Sequence, residues 1–520
     1  MTEAHFYSRG TSTPRKSTDQ RGAFMRMTQE DNRAASVAPP PENGASPVLV
    51  LTEAFTAEDA INRAGIGKFQ VKLTVLCGFV WMAKGFDNVV GMFINSLTTC
   101  EWSLLRWHSA LMVTITTIFT IFGCIIYGMW SDKYGRRTAL SSSLIFVFVF
   151  SAVSVGLPSY TWFLVFRSIT AFSVGGFAQA LTLCCEYVPG RQRGRVVYIL
   201  SCFWAVGVTI MLGLLYAMTR PAYYHWRLFA AVSTTPSLVA MIMMRFFPES
   251  IHYLLVSKEY VSAKIVVEDM ARVNKKSLPQ GQLFPVRDTN RRGRCCHLLS
   301  TNHARSSMIF WYIGLTAAIA YYSLDIMSPY FLQDVADEID AINYTAANFM
   351  GDVFQPVECL HNVTTNQYVK ILWTNALDFP GFVIYMIIVD VIPRKILLCA
   401  SSLLSSLFIF LLFIPTSNIT MLTAFLFCAR TLLLGQMDML LLMNAEAYPT
   451  TERGIAVGMQ NATFYMGFFL TPYISHGFLR FEMRYLAGFC GVLTFLSAIA
   501  APLLTWETRG MELMDTSQDQ

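Results

Sequence analysis

The chain has 520 residues, of which 54% are hydrophobic and 14% are charged, and its mean hydropathy is +0.44 with a formal net charge of +5. These values exclude an ordinary soluble protein and indicate that the lipid bilayer is the solvent of the chain. We expect a monomeric membrane protein without a nucleic-acid partner.

The N-terminal region is polar. Its first 50 residues are rich in Ser, Thr, Arg, Gln and Pro, and they include the run Ala38-Pro39-Pro40-Pro41. They contain no apolar stretch that could act as a signal sequence. We therefore predict that residues 1–70 form a disordered cytosolic tail followed by an amphipathic lead-in.

Apolar windows of about 20 residues, the length of helix that crosses about 30 Å of hydrocarbon, recur from Val71 onward. They predict twelve transmembrane spans, numbered 1 to 12 along the chain. Their expected positions are 71–96, 109–130, 138–157, 160–184, 195–218, 227–247, 307–331, 371–389, 396–415, 420–443, 454–475 and 485–505. An even number of spans places both termini on one side of the membrane.

The loops between the spans differ in charge. Lys and Arg are concentrated in the loops after the even-numbered spans, which places these loops and both termini in the cytosol. The loop at 332–370, after span 7, is instead acidic and carries N-glycosylation sequons at Asn343 and Asn362. We expect this loop to face the exterior or a lumen and to be glycosylated. Cys100 and Cys359 both fall in predicted outer loops, and the sequence leaves open whether they pair.

The chain also repeats itself at a distance of about 260 residues. The repeated residues, first half and then second half, are Asp132, Arg136 and Arg137 with Asp390, Arg394 and Lys395; Glu186, Pro189, Arg193 and Gly194 with Glu446, Pro449, Arg453 and Gly454; Arg167 with Arg430; and Glu249 with Glu507. The repeat predicts an all-α membrane protein of two pseudo-symmetric six-helix bundles. A parallel duplication of this kind is typical of alternating-access transporters, whose substrate binds near the midplane between the halves.

The repeat also divides the chain into regions. We predict a six-helix bundle at 71–247, a cytosolic linker at 248–306, a second six-helix bundle at 307–505 and a cytosolic tail at 506–520.

The loop between spans 2 and 3 reads Gly128-x-x-x-Asp132-Lys133-x-Gly135-Arg136-Arg137 and resembles the signature of the major facilitator superfamily. The stretches that follow span 6, Pro248-Glu249-Ser250, and span 12, Glu507-Thr508-Arg509-Gly510, are similar to signatures of its sugar and organic-ion branches. Phe55-Thr-x-Glu58-Asp59-Ala60 and Trp81-Met82-Ala83 resemble the synaptic-vesicle-glycoprotein-related group. The resemblance implies the major facilitator fold. The chain departs from these patterns at His252, Trp506 and Lys84, where Arg, Pro and an acidic residue are usual.

Repeated charges at the cytosolic ends of the spans are candidates for gating. An aspartate near a helix start can accept its exposed N–H groups, and an arginine can bridge carboxylates. The family resemblance implies that such contacts break and form between two access states; alternatively, they reflect only positive-inside topology. The candidate gating residues are Asp132, Arg136, Arg137, Glu186, Arg193, Asp390, Arg394, Lys395, Glu446 and Arg453.

Ionisable side chains within spans are costly and therefore candidates for a substrate or ion pathway. Lys84 and Asp87 in span 1 are three residues apart, so they either neutralise each other, or Asp87 opposes Asp325 of span 7 and the two bind a cation, a proton or an amine. Arg167 and Arg430 either position an anionic group or tie spans 4 and 10 to their neighbours. The full set of candidates is Lys84, Asp87, Arg167, Gln179, Tyr321, Tyr322, Asp325, Arg430 and Asp438.

These features favour a secondary active transporter of a small polar or ionic organic solute, working by alternating access with possible coupling to protons. The alternative is a vesicle or surface membrane protein that transports nothing and binds a nucleotide or a protein partner. We predict no enzymatic activity, cofactor or metal, because the sequence contains no nucleophile–base constellation, phosphate loop or metal-ligand spacing. The expected location is a synaptic-type cytoplasmic vesicle membrane or the plasma membrane.

Overall fold

The structure is a computed structural model. It describes residues 54–218, 226–279, 281–284, 295–300, 303–331, 372, 375–376, 378–413, 419–479 and 483–515. The tail before Ala54, the predicted glycosylation sites Asn343 and Asn362, and the side chains of Cys100 and Cys359 lie outside what it describes.

The chain divides into two compact units. The smaller comprises 1–56 and 279–284, and in it Ala54–Phe55 pairs in parallel with Gln282–Leu283. The larger comprises 57–278 and 285–520 and holds every span.

The described chain contains a helix at each of the twelve predicted spans. Those of the first half are Lys68–Trp102, Arg106–Tyr134, Arg136–Val155, Tyr160–Cys185, Arg193–Met218 and Trp226–Phe246. Those of the second half are Ala304–Phe331, Asp378–Ile388, Arg394–Phe413, Ile419–Ala447, Arg453–Leu479 and Met483–Ala500. Within the described residues, ten helices are long and apolar enough to cross a bilayer. The other two are the 11-residue span 8, preceded by helical residues at 372, 375 and 376, and the 27-residue span 11.

Several helices differ in extent or regularity from the sequence prediction. Span 1 begins three residues before the predicted start and continues to Trp102. Span 4 contains a turn of 3-10 helix at Gly175–Phe177. Span 6 consists of Trp226–Ser233, Thr235–Met243 and a final 3-10 turn at Met244–Phe246. Pro236 lies in the first turn of its second segment, where a missing N–H is tolerated.

The two halves meet through two equivalent pairs of spans. Span 2 of the first half packs against span 11 of the second, and span 5 of the first half packs against span 8 of the second. In the first half, spans 1, 4, 5 and 6 enclose an apolar core that includes Phe86, Phe163, Met211 and Phe229. Large apolar side chains elsewhere, such as Phe122 and Ile242, are exposed on the bundle as expected of lipid-facing positions.

The regions predicted as an amphipathic lead-in and a linker contain short helices. The lead-in forms a helix at Ala57–Ala64, and the apolar face of this helix is buried. The linker contains Ile251–Val256, Tyr260–Asn274 and Cys295–Leu298. Asn274, which ends the second linker helix, accepts from the backbone N–H of Phe69 at 3.0 Å and donates to Gln70 at 2.7 Å. These contacts attach the linker to the start of span 1.

Candidate functional site

Two groups of polar residues occupy the region between the halves. One lies at the ends of the spans on the side of the loops that follow even-numbered spans, which we call the linker face. The other surrounds a cavity deeper between the halves.

On the linker face, Asp132 at the end of span 2 binds the start of span 11. Its two carboxylate oxygens accept the backbone N–H groups of Gly454 and Ile455, both at 2.8 Å. The first N–H groups of a helix have no partner within the helix and carry the positive end of its dipole, so a carboxylate there is strongly favoured. Asp132 therefore joins the two halves directly.

Asp390 makes the equivalent contact from the second half. It lies just after span 8 and accepts the backbone N–H of Arg195, at the start of span 5, at 3.2 Å. Gly194 and Gly454 permit this approach. A Cβ atom on Gly454 would lie 2.6 Å from Asp132 Oδ1, and one on Gly194 would lie 2.5 Å from Asp390 Oδ1. The repeated glycine in the sequence is thus explained by the space that each carboxylate needs.

Two glutamates collect arginines from both halves. Glu186 contacts Arg136 of its own half at 3.3 Å and Arg453 of the other half at 2.7 Å. In the mirrored cluster, Glu446 contacts Arg394 of its own half at 2.8 Å and Arg193 of the other half at 3.5 Å. All six side chains are fully buried. The repeat observed in the sequence is therefore a repeat of contacts across the interface.

The charge of Glu186 is maintained by its arginines. Burial alone raises the pKa of this carboxyl, but Arg136 and Arg453 outweigh burial and hold the pKa of Glu186 at about 2. Glu186 is therefore a carboxylate throughout the physiological range. Arg136 also donates to the carbonyl oxygen of Thr450 in the other half at 2.6 Å, which adds a second link across the same interface.

Three of the predicted residues lie elsewhere than expected. The Arg137 side chain is exposed, and it is its backbone N–H that donates to Glu249 of the same half at 3.2 Å. Lys395 donates through Nζ to the carbonyl oxygen of Leu504, also of its own half, at 2.6 Å. Among the residues described, Arg137 and Lys395 make these contacts within their own halves and no contact across to the other half. Gln179 is not a cavity residue: it is buried and donates to the carbonyl oxygen of Gly454 at 3.3 Å.

Sequence reasoning did not assign Glu249 and Glu507 to a site, although their repetition was visible. Glu249 accepts the backbone N–H of Arg136 at 3.0 Å, and Glu507 accepts that of Arg394 at 2.8 Å. Each therefore caps the start of a span in its own half. Burial raises the pKa of Glu249. Gly135, with a φ of +105°, is needed here because a Cβ atom would lie 2.5 Å from Glu249 Oε2.

The C-terminal tail and the lead-in helix also reach the linker face, which no sequence pattern indicated. The backbone N–H of Thr450 donates to the carbonyl oxygen of Met514 at 2.9 Å. Asp515 then contacts His252 Nδ1, in the linker, at 2.7 Å. Glu58 of the lead-in helix contacts Arg193 at 3.3 Å. The tail thus connects the second half to a linker helix that follows the first half.

A cavity of about 160 Å³ lies between the halves. Most of the predicted pathway residues line it, from spans 1, 4, 7 and 10. They are Lys84, Asp87, Arg167, Tyr321, Tyr322, Asp325 and Asp438, together with Trp81. Arg430 lines an adjoining cavity of about 320 Å³ that shares Tyr322 and Asp325.

The arginines in these cavities bind carboxylates of their own halves. Asp87 contacts Arg167 at 2.9 Å, and Asp325 contacts Arg430 at 2.5 Å. The two pairs are equivalent, since they join span 1 to span 4 and span 7 to span 10. Arg430 also donates to Asp378 of span 8 at 3.4 Å and to the Tyr321 hydroxyl at 3.3 Å. Asp378, the first residue of span 8, is a buried partner of Arg430.

Of the two alternatives for Lys84 and Asp87, mutual neutralisation is not seen among the residues described, since Asp87 is bound by Arg167. Lys84 Nζ lies over the aromatic rings of Trp81, at 5.0 Å, and Tyr465, at 5.9 Å, measured to the ring centroids. Asp438 on span 10 is the carboxylate that acts on it electrostatically. Tyr322 packs edge-on against Phe468 with centroids 4.8 Å apart. Asp87 and Asp325 do face one cavity, but each is already bound to an arginine.

Comparison with known proteins agrees with this architecture. Residues 74–341 match the family model described as sugar (and other) transporter, and residues 376–518 match that of the Major Facilitator Superfamily. The chain is 29% identical over 465 residues to the Synaptic vesicle 2-related protein of Xenopus laevis, covering 89% of this chain and 83% of the relative. It is 28% identical to the protein of the same name from Rattus norvegicus, with the same coverage.

Among solved structures, the proton:xylose symporter XylE bound to 6-bromo-6-deoxy-D-glucose matches with a TM-score of 0.61 and 16% identity. The match covers 86% of this chain and 98% of XylE, and it shows that the two share a fold. The protein is therefore a multi-pass membrane transporter by family and fold. The chain belongs to the major facilitator superfamily, in its sugar (and other) transporter family.

Proposed function

We propose that the protein is a secondary active transporter that moves a small polar or ionic organic solute by alternating access. The observation that carries this proposal is the reciprocal set of contacts on the linker face, where Asp132 and Asp390 each bind the start of a span in the opposite half. These contacts close one side of a charged cavity formed by both halves. A transporter that works by alternating access must open and close that side of its cavity, and a gate of this kind can do so.

In the proposed cycle, the halves separate at the linker face while the opposite face closes. The change requires the Glu186–Arg453 and Glu446–Arg193 ion pairs to break. Each of the two glutamates then keeps an arginine of its own half, through Arg136–Glu186 and Arg394–Glu446, so neither carboxylate is left without a cation. Because a buried charge without a partner is very costly, this sharing lowers the energy of the open state. A coupling of about 1–3 kcal/mol between gate and solute is typical.

Proton coupling forms part of the proposal because the cavity is lined by Asp87, Asp325 and Asp438. Carboxylates that gain or lose an arginine partner between two conformations change their affinity for protons. We propose that the loops on the linker face and both termini are cytosolic, in accordance with the positive-inside rule. A vesicle membrane is the proposed location by analogy with the relatives' names. We further propose that the chain works as a monomer.

One observation favours the alternative function, a membrane protein that transports nothing and binds a nucleotide or protein. Lys84 places an ammonium group in the cavity, close to aromatic rings that would otherwise attract a cationic solute. A permanent internal cation of this kind could fill a cation site. In that case the gate would keep one conformation.

Reconstitution into liposomes separates these functions. Uptake of a radiolabelled solute library that includes sugars, amino acids, organic anions and organic cations is measured with and without a pH gradient. We expect uptake of at least one solute class, and a loss of about tenfold or more in Asp132→Asn, whose carboxylate binds the start of span 11. Asp269→Asn is the matched control, since the Asp269 side chain is 42% exposed on a linker helix and its one ion pair among the residues described is with Arg272. Liposomes that exchange no solute with either gradient would refute transport and support the alternative.

A further inference from the structure

Among the residues described, one cation and one anion of the cavity have no ion-pair partner within 4.0 Å. Two further cations, Arg167 in this cavity and Arg430 in the adjoining one, are bound to Asp87 and Asp325. Lys84 and Asp438 are left over. Within the described residues, no carboxylate oxygen lies within 4.0 Å of Lys84 Nζ, although Asp438 acts on it at longer range. Both residues line the cavity, so both charges face the same space.

The surroundings of Lys84 are suited to an anionic group. Trp81 lies three residues before Lys84 and therefore shares its helical face. The Trp81 side chain is 4% exposed, and its Nε1–H has no acceptor among the residues described. A buried N–H donor without an acceptor is rare in proteins and costs about 1–3 kcal/mol. An ammonium and an indole N–H on one turn of span 1 can together bind a carboxylate.

The surroundings of Asp438 are suited to a cationic group. Asp438 is 7% exposed, and its Oδ2 atom has no hydrogen-bond donor among the residues described. Its contact with a side chain is with Ser201 of span 5. Asp438 lines the cavity, and a buried carboxylate with an oxygen that lacks a donor is a ready acceptor for a primary or secondary ammonium group.

A ligand with one charge or none would leave Lys84, Asp438 or both without a directly bound group of opposite charge. A monovalent anion at Lys84 would leave Asp438 without a partner, and a monovalent cation at Asp438 would leave Lys84 without one. A sugar would offer hydroxyl groups to both but no charge to either. Because buried charges are stabilised chiefly by opposite charges, the best complement is a solute that carries both.

We infer that the solute is a small amino-acid-like zwitterion whose carboxylate binds Lys84 and Trp81 and whose ammonium binds Asp438. This inference rests on the proposed transport function and specifies its substrate class. Lys84 and Trp81 belong to the first half, and Asp438 belongs to the second. A bound zwitterion would therefore link the halves and favour the conformation in which they enclose it.

The test uses the full-length protein in proteoliposomes and in detergent. The probes are glycine, L-alanine, L-leucine, L-phenylalanine and γ-aminobutyrate, each with its carboxamide, which lacks the negative charge, and its N-acetyl derivative, which lacks the positive charge. We expect at least one zwitterion to be taken up and to raise the thermal unfolding temperature. Both of its derivatives should bind about 10- to 100-fold more weakly, as is usual when a charged hydrogen-bonding partner is lost.

The variants Lys84→Gln and Asp438→Asn assign each end of the zwitterion. Lys84→Gln should weaken binding of the zwitterion about tenfold or more and leave binding of the carboxamide nearly unchanged, because the carboxamide has no negative charge to lose. Asp438→Asn should likewise weaken binding of the zwitterion about tenfold or more and leave binding of the N-acetyl derivative, which has no positive charge, nearly unchanged. Thr116→Val, a neutral change in the lining of the same cavity, is the matched control and should affect all three probes equally.

Different results identify different failures. Uptake of a sugar or of a singly charged solute in the library above, with no zwitterion taken up, would overturn the zwitterion inference and leave transport intact. Zwitterion uptake that is unchanged in both Lys84→Gln and Asp438→Asn would overturn the assignment of these residues. The absence of uptake for every solute class would overturn the proposed function, and the zwitterion inference with it.

Discussion

Glu186 and Arg453 come from different halves of the chain, lie 2.7 Å apart and are both fully buried. Glu446 and Arg193 form the same contact in the reverse sense, at 3.5 Å. Each of these glutamates also holds an arginine of its own half, so the interface can separate without leaving a buried carboxylate unpaired. The duplication therefore provides a gate with two equivalent parts.

The first prediction concerns the glycines at the gate. Gly454→Ala should weaken the contact of Asp132 with the start of span 11, because the added Cβ atom would lie 2.6 Å from Asp132 Oδ1 and 3.0 Å from the carbonyl oxygen of Gly128. We expect the ratio of open to closed molecules at the linker face to rise about tenfold, which corresponds to a free-energy change of about 1.4 kcal/mol. The measurement is the population of open molecules from spin-label distances across the linker face.

Gly213→Ala is the control for this change. Gly213 lies within span 5, and nothing lies within 4 Å of a Cβ atom placed on it. Alanine there should leave the distances unchanged and is favoured within a helix. If both glycine variants gave the same population of open molecules, the close approach of Asp132 would have no role in closure.

The second prediction separates two adjacent arginines. Arg136→Gln should open the linker face, because this buried side chain contacts Glu186 and donates to Thr450 of the other half. Arg137→Gln should have little effect, because its side chain is exposed and its contact with Glu249 uses the backbone N–H. We expect transport to fall about tenfold or more in Arg136→Gln and less than about twofold in Arg137→Gln. Equal losses in the two variants would contradict the assignment.

Apolar windows located the twelve spans, since bilayer thickness fixes helix length. The repeat identified Asp132 and Asp390 as equivalent, but not which N–H groups they bind, since these come from residues about 190 to 320 positions away. The spacing of Lys84 and Asp87 left open whether the two neutralise each other or Asp87 opposes Asp325. The arginine that actually binds Asp87 lies on another helix, which helix periodicity cannot reveal.

The third prediction concerns the Asp87–Arg167 pair in the cavity. Arg167→Met should destabilise the protein by about 1–3 kcal/mol, a value reduced from that of a fully buried pair because the Asp87 side chain is 21% exposed. The double variant Asp87→Asn with Arg167→Met should be more stable than Arg167→Met alone, because no unpaired charge is left. A double-mutant cycle in thermal unfolding measures this coupling. Strictly additive effects would show that the two side chains do not stabilise each other.

The fourth prediction concerns pH and the C-terminal tail. Burial lowers the pKa of His252, but Asp515 more than offsets burial, so the pKa of His252 is raised above its ordinary value. Glu58, Arg453 and Glu186 are the other charged groups that act on His252. A raised pKa means that the His252 contribution to stability is fully present below about pH 6.5 and is lost as the pH rises through the pKa in the folded protein.

We therefore expect the thermal unfolding temperature to decrease between about pH 6 and pH 8.5 by more in the natural protein than in His252→Arg, which stays charged. Asp515→Asn should also reduce the pH dependence, because it removes the carboxylate that raises the pKa of His252. Parallel pH profiles for all three proteins would show that this contact does not titrate in the stated range.

The central claim is tested most directly by distances between spin labels on both faces of the reconstituted protein, in a background without native cysteines. One pair is Tyr134 with Val391, which are exposed on the linker face, and the other is Pro158 with Thr420, which are exposed on the opposite face. The account predicts two populations, in which the first distance lengthens as the second shortens, with proportions that change on addition of a transported solute. A single, fixed distance for each pair under every solute and pH gradient would contradict it.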